Sequence, residues 1–215
     1  MSEYDVIARS GNVMSVSSPP RGRGRPASVT AEQLAQTALS LWGQRGYDDV
    51  PLSEVAAAAG VNERTLFRYF ASKSDIVWRA IDTSFGDLHE HLAATPAGAP
   101  LMTRVRQGIL AGFELEESDE LTRLRLRIIS RTPELYSSSS PPFAAWRTVI
   151  QSFVAEVLGI ETTDLVPQVA ASSIQAATMS ALIWWAAHSD DDARAAVDQS
   201  LRELETGFTL SLRTF

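Results

Sequence analysis

Arg64 and Arg68 stand one helical turn apart, with Glu63, Thr65 and Tyr69 beside them. A guanidinium can bond bidentately to the O6 and N7 atoms of guanine, and a short helix presenting these side chains outward fits the DNA major groove. The plainer alternative is two solvated charges that pair with Glu63 or Asp75. Upstream, Arg21, Arg23 and Arg25 recur at two-residue spacing in Arg-Gly-Arg-Gly-Arg-Pro. Glycine lets such a strand lie deep in a narrow groove, proline keeps it extended, and arginine is drawn to the negative potential of a narrow A·T minor groove. Its alternative is a solubilising tail. A third set, Arg123, Arg127 and Arg131, recurs every four residues with Arg125 off that line. It is either a clamp for an anionic group or a solvated face balanced by neighbouring acids.

Catalytic chemistry is not suggested. There is no cysteine, which removes disulfides, thiolate nucleophiles, zinc fingers and iron–sulfur clusters. His89 and His91, two residues apart, point to different faces of a helix and make a poor metal pair. His188 is isolated near a helix C-terminus, where it complements the helix dipole. No phosphate-binding glycine loop, zinc helix motif or nucleophile elbow is present. The expectation is a non-enzyme with no cofactor and no metal.

The reading head needs a scaffold, and the sequence supplies helices. Thr30-Ala31-Glu32-Gln33 is a capping box, and Leu34, Ala38, Leu41 and Trp42 share one helical face. Gly46 suits a left-handed residue after the helix. A second helix begins at Val50-Pro51, with proline at its first position, and ends at Gly60. Asn62 caps a third through Phe70, and Ser72-Lys73-Ser74-Asp75 caps a fourth that reads to about Thr95. Ala56 and Gly60 allow close crossing of the second and third helices, while Val55, Val61 and Leu66 fill the wedge: a helix-turn-helix. Further helices are expected at about 100–117, 119–132, 141–158, 165–188 and 191–213. The predicted fold is all-α, about nine helices, with no sheet.

The 215 residues carry a formal charge of −7. That total alone argues against a nucleic-acid partner. It is unevenly spread: residues 20–80 hold eight basic and six acidic residues, and residues 81–215 hold ten and eighteen. Residues 1–29 are rich in Ser, Gly and Pro and read as a disordered arginine-containing arm. Residues 30–75 read as the DNA-binding domain and 76–215 as a helical effector-binding and dimerisation domain. No signal peptide is seen, and the uncharged stretch 165–187 holds too many polar residues for a membrane span. A cytoplasmic protein without membrane contact is expected.

The segments Leu34…Leu41-Trp42…Arg45-Gly46-Tyr47, Val55–Val61 and Thr65-Leu66-Phe67-Arg68-Tyr69-Phe70-Ala71-Ser72-Lys73 resemble the N-terminal domain of TetR-type transcriptional regulators. The resemblance implies a homodimer on double-stranded operator DNA, usually a repressor released by a small molecule. It places Arg64 and Arg68 on the exposed face of the recognition helix, Thr65 and Tyr69 at positions that touch phosphates, and Lys73, the chain's one lysine, at a position that grips the DNA backbone. With Arg23 and Arg25 of the arm these form the expected DNA contacts. Phe67 stands where tyrosine is common, and Val50 where a phosphate-contacting Thr or Ser is frequent. Ser53 is a substitute for the latter.

The resemblance further implies an effector pocket, with Trp78, Phe85, Phe113, Trp146, Phe153, Met179 and Ile183 as candidate walls; the alternative is that these side chains are core, and their aromatic stock suggests an apolar or acyl effector. It implies a dimer interface on the last two helices, with Ala177, Ala181, Trp184, Trp185, Leu201, Leu204 and Phe208 as candidates; the rival reading is that these side chains fill only the core of one chain, and both can hold for different faces. The run Arg64–Trp78, with Thr95-Pro96…Pro100-Leu101-Met102 and Ala144–Arg147, is similar to TetR-type regulators found beside mycofactocin biosynthesis genes. A TetR-type activator, a ligand-independent regulator and a helical binding protein without DNA function remain open.

Overall fold

A computed structural model describes residues 29–84, 87–112, 119–137 and 141–207. Eleven helices and no strand occur among them.

Helix α1 (Ala31–Arg45) opens on the expected capping box: Gln33 N–H donates to Thr30 Oγ1 at 3.2 Å, and Thr30 N–H donates to Gln33 Oε1 at 3.0 Å. Leu34, Ala38, Leu39 and Trp42 are buried along one face. Gly46 follows with φ 103°, ψ 143°. This is a glycine conformation, but extended where a left-handed one was expected. A Cβ there would meet Asp49 Oδ2 at 2.7 Å.

Helix α2 (Leu52–Ala58) starts one residue later than expected, because Pro51 is extended and acts as the cap. Gly60 is left-handed, φ 68°. The Val61 N–H then turns back to Ala56 O at 2.9 Å. Asn62 Oδ1 caps helix α3 (Glu63–Tyr69) by accepting from Thr65 N–H at 2.8 Å. Val55, Ala56 and Leu66 are buried between the two helices.

Where one fourth helix was expected, two elements are described, α4 (Lys73–Ser84) and α5 (Leu88–Ala93), with residues 85 and 86 outside the described residues. Ser72 and Asp75 cap α4 reciprocally at 3.1 Å each way. Helix α6 (Leu101–Ala111) is capped by Gly112, short of the expected 117. A Cβ on Gly112 would meet the His91 ring at 2.6 Å, so α5 and α6 approach closely there.

Helix α7 (Asp119–Arg131) is followed by a single extra turn, α8 (Pro133–Tyr136), opened by the proline expected only to separate helices. Helices α9 (Pro141–Leu158), α10 (Leu165–His188) and α11 (Ala193–Thr206) complete the body. Helix α10 is central, packed on α7, α9 and α11, while α1 rests on α7 and joins the helix-turn-helix to the rest. No helix among the described residues is long and apolar enough to cross a membrane.

Candidate nucleic-acid interface

Helix α3 turns Leu66 inward, with Phe70 buried just beyond its end, and leaves Arg64, Phe67 and Arg68 exposed. Neither arginine makes an ion pair among the described residues, so the expected alternative partners Glu63 and Asp75 do not neutralise them. Asp75 instead accepts from Ser72 N–H. Ser53 is exposed in the first turn of α2. Val50, one of the departures from the family pattern, is fully buried, and its carbonyl accepts from Trp42 Nε1 at 3.0 Å. A hydroxyl residue there would have to be desolvated, which accounts for valine.

Three expected phosphate contacts are engaged inside the chain. Thr65 Oγ1 donates to the Asn62 carboxamide at 2.9 Å. Tyr69 Oη donates to Val29 O at 2.8 Å and lies 3.3 Å from Arg68 Nη2, which donates to it. Lys73 Nζ donates to Tyr47 O and sits over the Tyr47 and Trp42 rings at 4.2 and 5.4 Å. Burial pulls the Lys73 pKa below that of an ordinary lysine, with Asp48 and Asp49 opposing. An ammonium has three N–H donors, so this anchorage leaves capacity for a phosphate. Arg23 and Arg25 lie outside the described residues. Their segment nonetheless joins the fold at Val29, against the recognition helix.

Two basic residues missed by the sequence reading hold the head. Arg79 Nη1 donates to Tyr69 O at 3.2 Å, serving the C-terminal end of α3, and lies over the Phe70 ring. Arg45 of α1 pairs with Glu54 of α2. The signal for Arg79 was available in principle, since a cation suits the last carbonyls of a helix.

The arginine set on α7 divides. Arg125, the one off the line, is fully buried and donates to the carbonyls of Ile76, at 2.5 Å, and Val77 in α4. Arg123 donates to Trp185 O at 2.9 Å and stacks on that ring at 3.9 Å. Arg127 and Arg131 are exposed and line a cleft of about 520 Å3 between α7 and the α1–α2 turn, with Asp48 and Asp49 opposite.

None of the candidate effector residues that the structure describes lines that cleft. Trp78 is buried edge-on to Phe143 at 4.7 Å, and its Nε1 donor has no partner among the described residues. Phe153 and Met179 are buried, with the Arg104 guanidinium 4.8 Å from the Phe153 ring; Trp146 and Ile183 are half-buried. Phe85 and Phe113 lie outside the described residues.

Of the residues expected at a dimer interface, Trp185 and Leu201 are fully buried within the single chain and Ala181 nearly so. Trp185 Nε1 donates to Asp191 O at 2.5 Å. Its neighbour Trp184 is 54% exposed, and Ala177 and Leu204 are half-buried. Phe208 lies outside the described residues. Along α10 the outward side carries Leu165, Val169, Ser172, Ala176, Ser180 and Trp184, an uncharged stripe at helical spacing.

Comparison with known proteins agrees with this geometry. Residues 34–80 match the family model described as bacterial regulatory proteins, tetR family, and residues 99–209 match that of the MftR C-terminal domain. The provisionally assigned mycofactocin biosynthesis transcriptional regulator MftR of Mycobacterium tuberculosis is 37% identical over 163 residues, covering 75% of this chain and 82% of its own length. The HTH-type transcriptional regulator TcmR of Streptomyces glaucescens is 33% identical over 135 residues, 56% of this chain and 58% of its own. Among solved structures, SmeT, the repressor of the Stenotrophomonas maltophilia multidrug efflux pump SmeDEF, superposes with TM-score 0.55 at 17% identity, covering 87% and 94% of the two chains.

Proposed function

We propose that this chain, which belongs to the TetR family of bacterial regulatory proteins, is a homodimeric repressor released from its operator by a small apolar or acyl effector. Its role as a helix-turn-helix transcriptional regulator rests on the two family matches and the relative of 37% identity. The observation that carries the operator reading is the outward face of α3, where Arg64 and Arg68 have no carboxylate partner among the described residues. An unneutralised guanidinium pair on a firmly capped helix is suited to base edges. Tyr69 and Lys73 set the angle and depth of that helix, and Ser53, Thr65 and the arm arginines Arg23 and Arg25 supply backbone contacts.

The homodimer is assigned to the uncharged stripe of α10, with Trp184, Ala177 and Leu204 retained from the sequence reading. The effector is assigned to the region of Trp78, Phe85, Phe113, Trp146, Phe153, Met179 and Ile183. Its aromatic character suits an apolar body, and the unpartnered Trp78 Nε1 suits a ligand acceptor atom. The MftR relative supports target genes connected with mycofactocin biosynthesis.

The test is a gel shift with the DNA upstream of the chain's own gene. Specific retardation that is reversed by an added acyl compound is expected. Specific binding that no compound releases would overturn the effector assignment, and no specific binding at low salt would overturn the operator reading. Arg68→Ala is expected to cost about 1–3 kcal/mol on the specific site and little on unrelated DNA; equal loss on every sequence would make Arg68 a phosphate contact.

A further inference from the structure

Phe67 is out of place for a core residue. It is 50% exposed, while Leu66 and Phe70 on either side are buried. Among the described residues of α1–α4 it is the only large apolar side chain so exposed; the others lie on Tyr136 or between Val157 and Trp184. It lies beside Arg64, three residues before it on the same side of the helix, and about 100° round the helix from Arg68, the next residue; both arginines are exposed and make no ion pair among the described residues. A duplex drawn in by those guanidinium groups comes within reach of the phenyl ring at the flank of Arg64.

A phenyl ring cannot bond to a phosphate or to the polar edge of a base. The one apolar group that unmodified B-DNA displays in the major groove is the C5-methyl of thymine. We propose that Phe67 is a specificity-determining residue that packs on a thymine C5-methyl group in each operator half-site, next to the base pairs faced by Arg64 and Arg68. The proposal rests on the operator-binding reading. The ring finds there a partner that ordinary cytosine does not offer.

The experiment separates the two. The full chain selects duplexes from a random-sequence pool, and the selected duplex is resynthesised with each thymine replaced in turn by deoxyuridine, which removes only the methyl group. Wild type, F67A and F67L are titrated against each. For wild type, replacement at one or two positions per half-site is expected to weaken binding about fourfold, the fold-change for one buried CH2 group of about 0.8 kcal/mol. F67A is expected to bind thymine and uracil duplexes equally at those positions, and F67L to keep part of the difference. Identical uracil profiles for wild type and F67A overturn the proposal and leave operator binding intact. A shift in the dimer affinity of F67A without a change in its uracil profile assigns Phe67 to a protein contact and also overturns it. Failure to enrich any duplex overturns the operator reading and the proposal together.

Discussion

Trp184 and Trp185 are adjacent in sequence and opposite in environment, so their replacement separates assembly from folding. Trp184 is 54% exposed on the single chain. A tryptophan presents up to about 250 Å2, so about 130 Å2 is available to a second copy. At about 25 cal/mol per Å2, that is about 3 kcal/mol per protomer. A twofold interface uses the residue twice, about 6 kcal/mol in total, before ordering costs and imperfect cover reduce it. Trp184→Ala is therefore expected to weaken dimerisation at least about 100-fold, measured by sedimentation velocity across a dilution series. Its chain should unfold in urea as cooperatively as wild type. Trp185→Ala removes a fully buried ring that also carries Arg123 and bonds to Asp191. It is expected to cost about 3–5 kcal/mol of folding stability. A Trp184→Ala protein whose dimer constant stays within about threefold of wild type refutes the α10 interface.

Arg125→Ala is expected to lower stability by about 2–4 kcal/mol in urea unfolding, since two charge-assisted bonds to α4 and a buried stem are lost. A change below about 0.5 kcal/mol would mean that α4 and α7 are held by other contacts. Thr30→Ala should cost about 1 kcal/mol by opening the capping box, read in the same assay. Burial first, then Asp48 and Glu134, pushes the Tyr47 phenol up to about 12 from an ordinary 10. The folded state therefore holds a proton that the unfolded state releases between pH 10 and 12. Stability from this group is complete below pH 10 and is lost as pH rises through the folded value; Tyr47→Phe should flatten that decline in alkaline thermal melts. Removal of residues 1–26 should weaken operator binding and flatten its salt slope; an unchanged slope would exclude the arm from the DNA.

Local signals in the sequence were legible where a few neighbouring residues decide the outcome. The Thr30–Gln33 and Ser72–Asp75 caps and the Gly60-Val61-Asn62 turn are of this kind. Which side of α10 faces outward was harder to read because the helix carries no Asp, Glu, Lys or Arg to mark it. Residues 184 and 185 differ by only about 100° around the helix, and composition does not say which faces out. Leu201 is buried within the chain, and its sequence position does not reveal this, as an apolar residue on a terminal helix serves core and interface equally well. Lys73 was read from its position as a phosphate contact, while its hold on Tyr47 O depends on a carbonyl twenty-six residues away.

The grip of Arg125 on α4 runs through main-chain oxygens. Each peptide carbonyl has a second lone pair beyond its helical bond, and every residue type offers the same one. These two bonds are thus written on one helix only. Exchanging side chains at positions 76 and 77 would leave both acceptors in place. Heritable change in how the reading head is seated on the body can enter through position 125, while the α4 residues it holds are free to vary for the demands of packing.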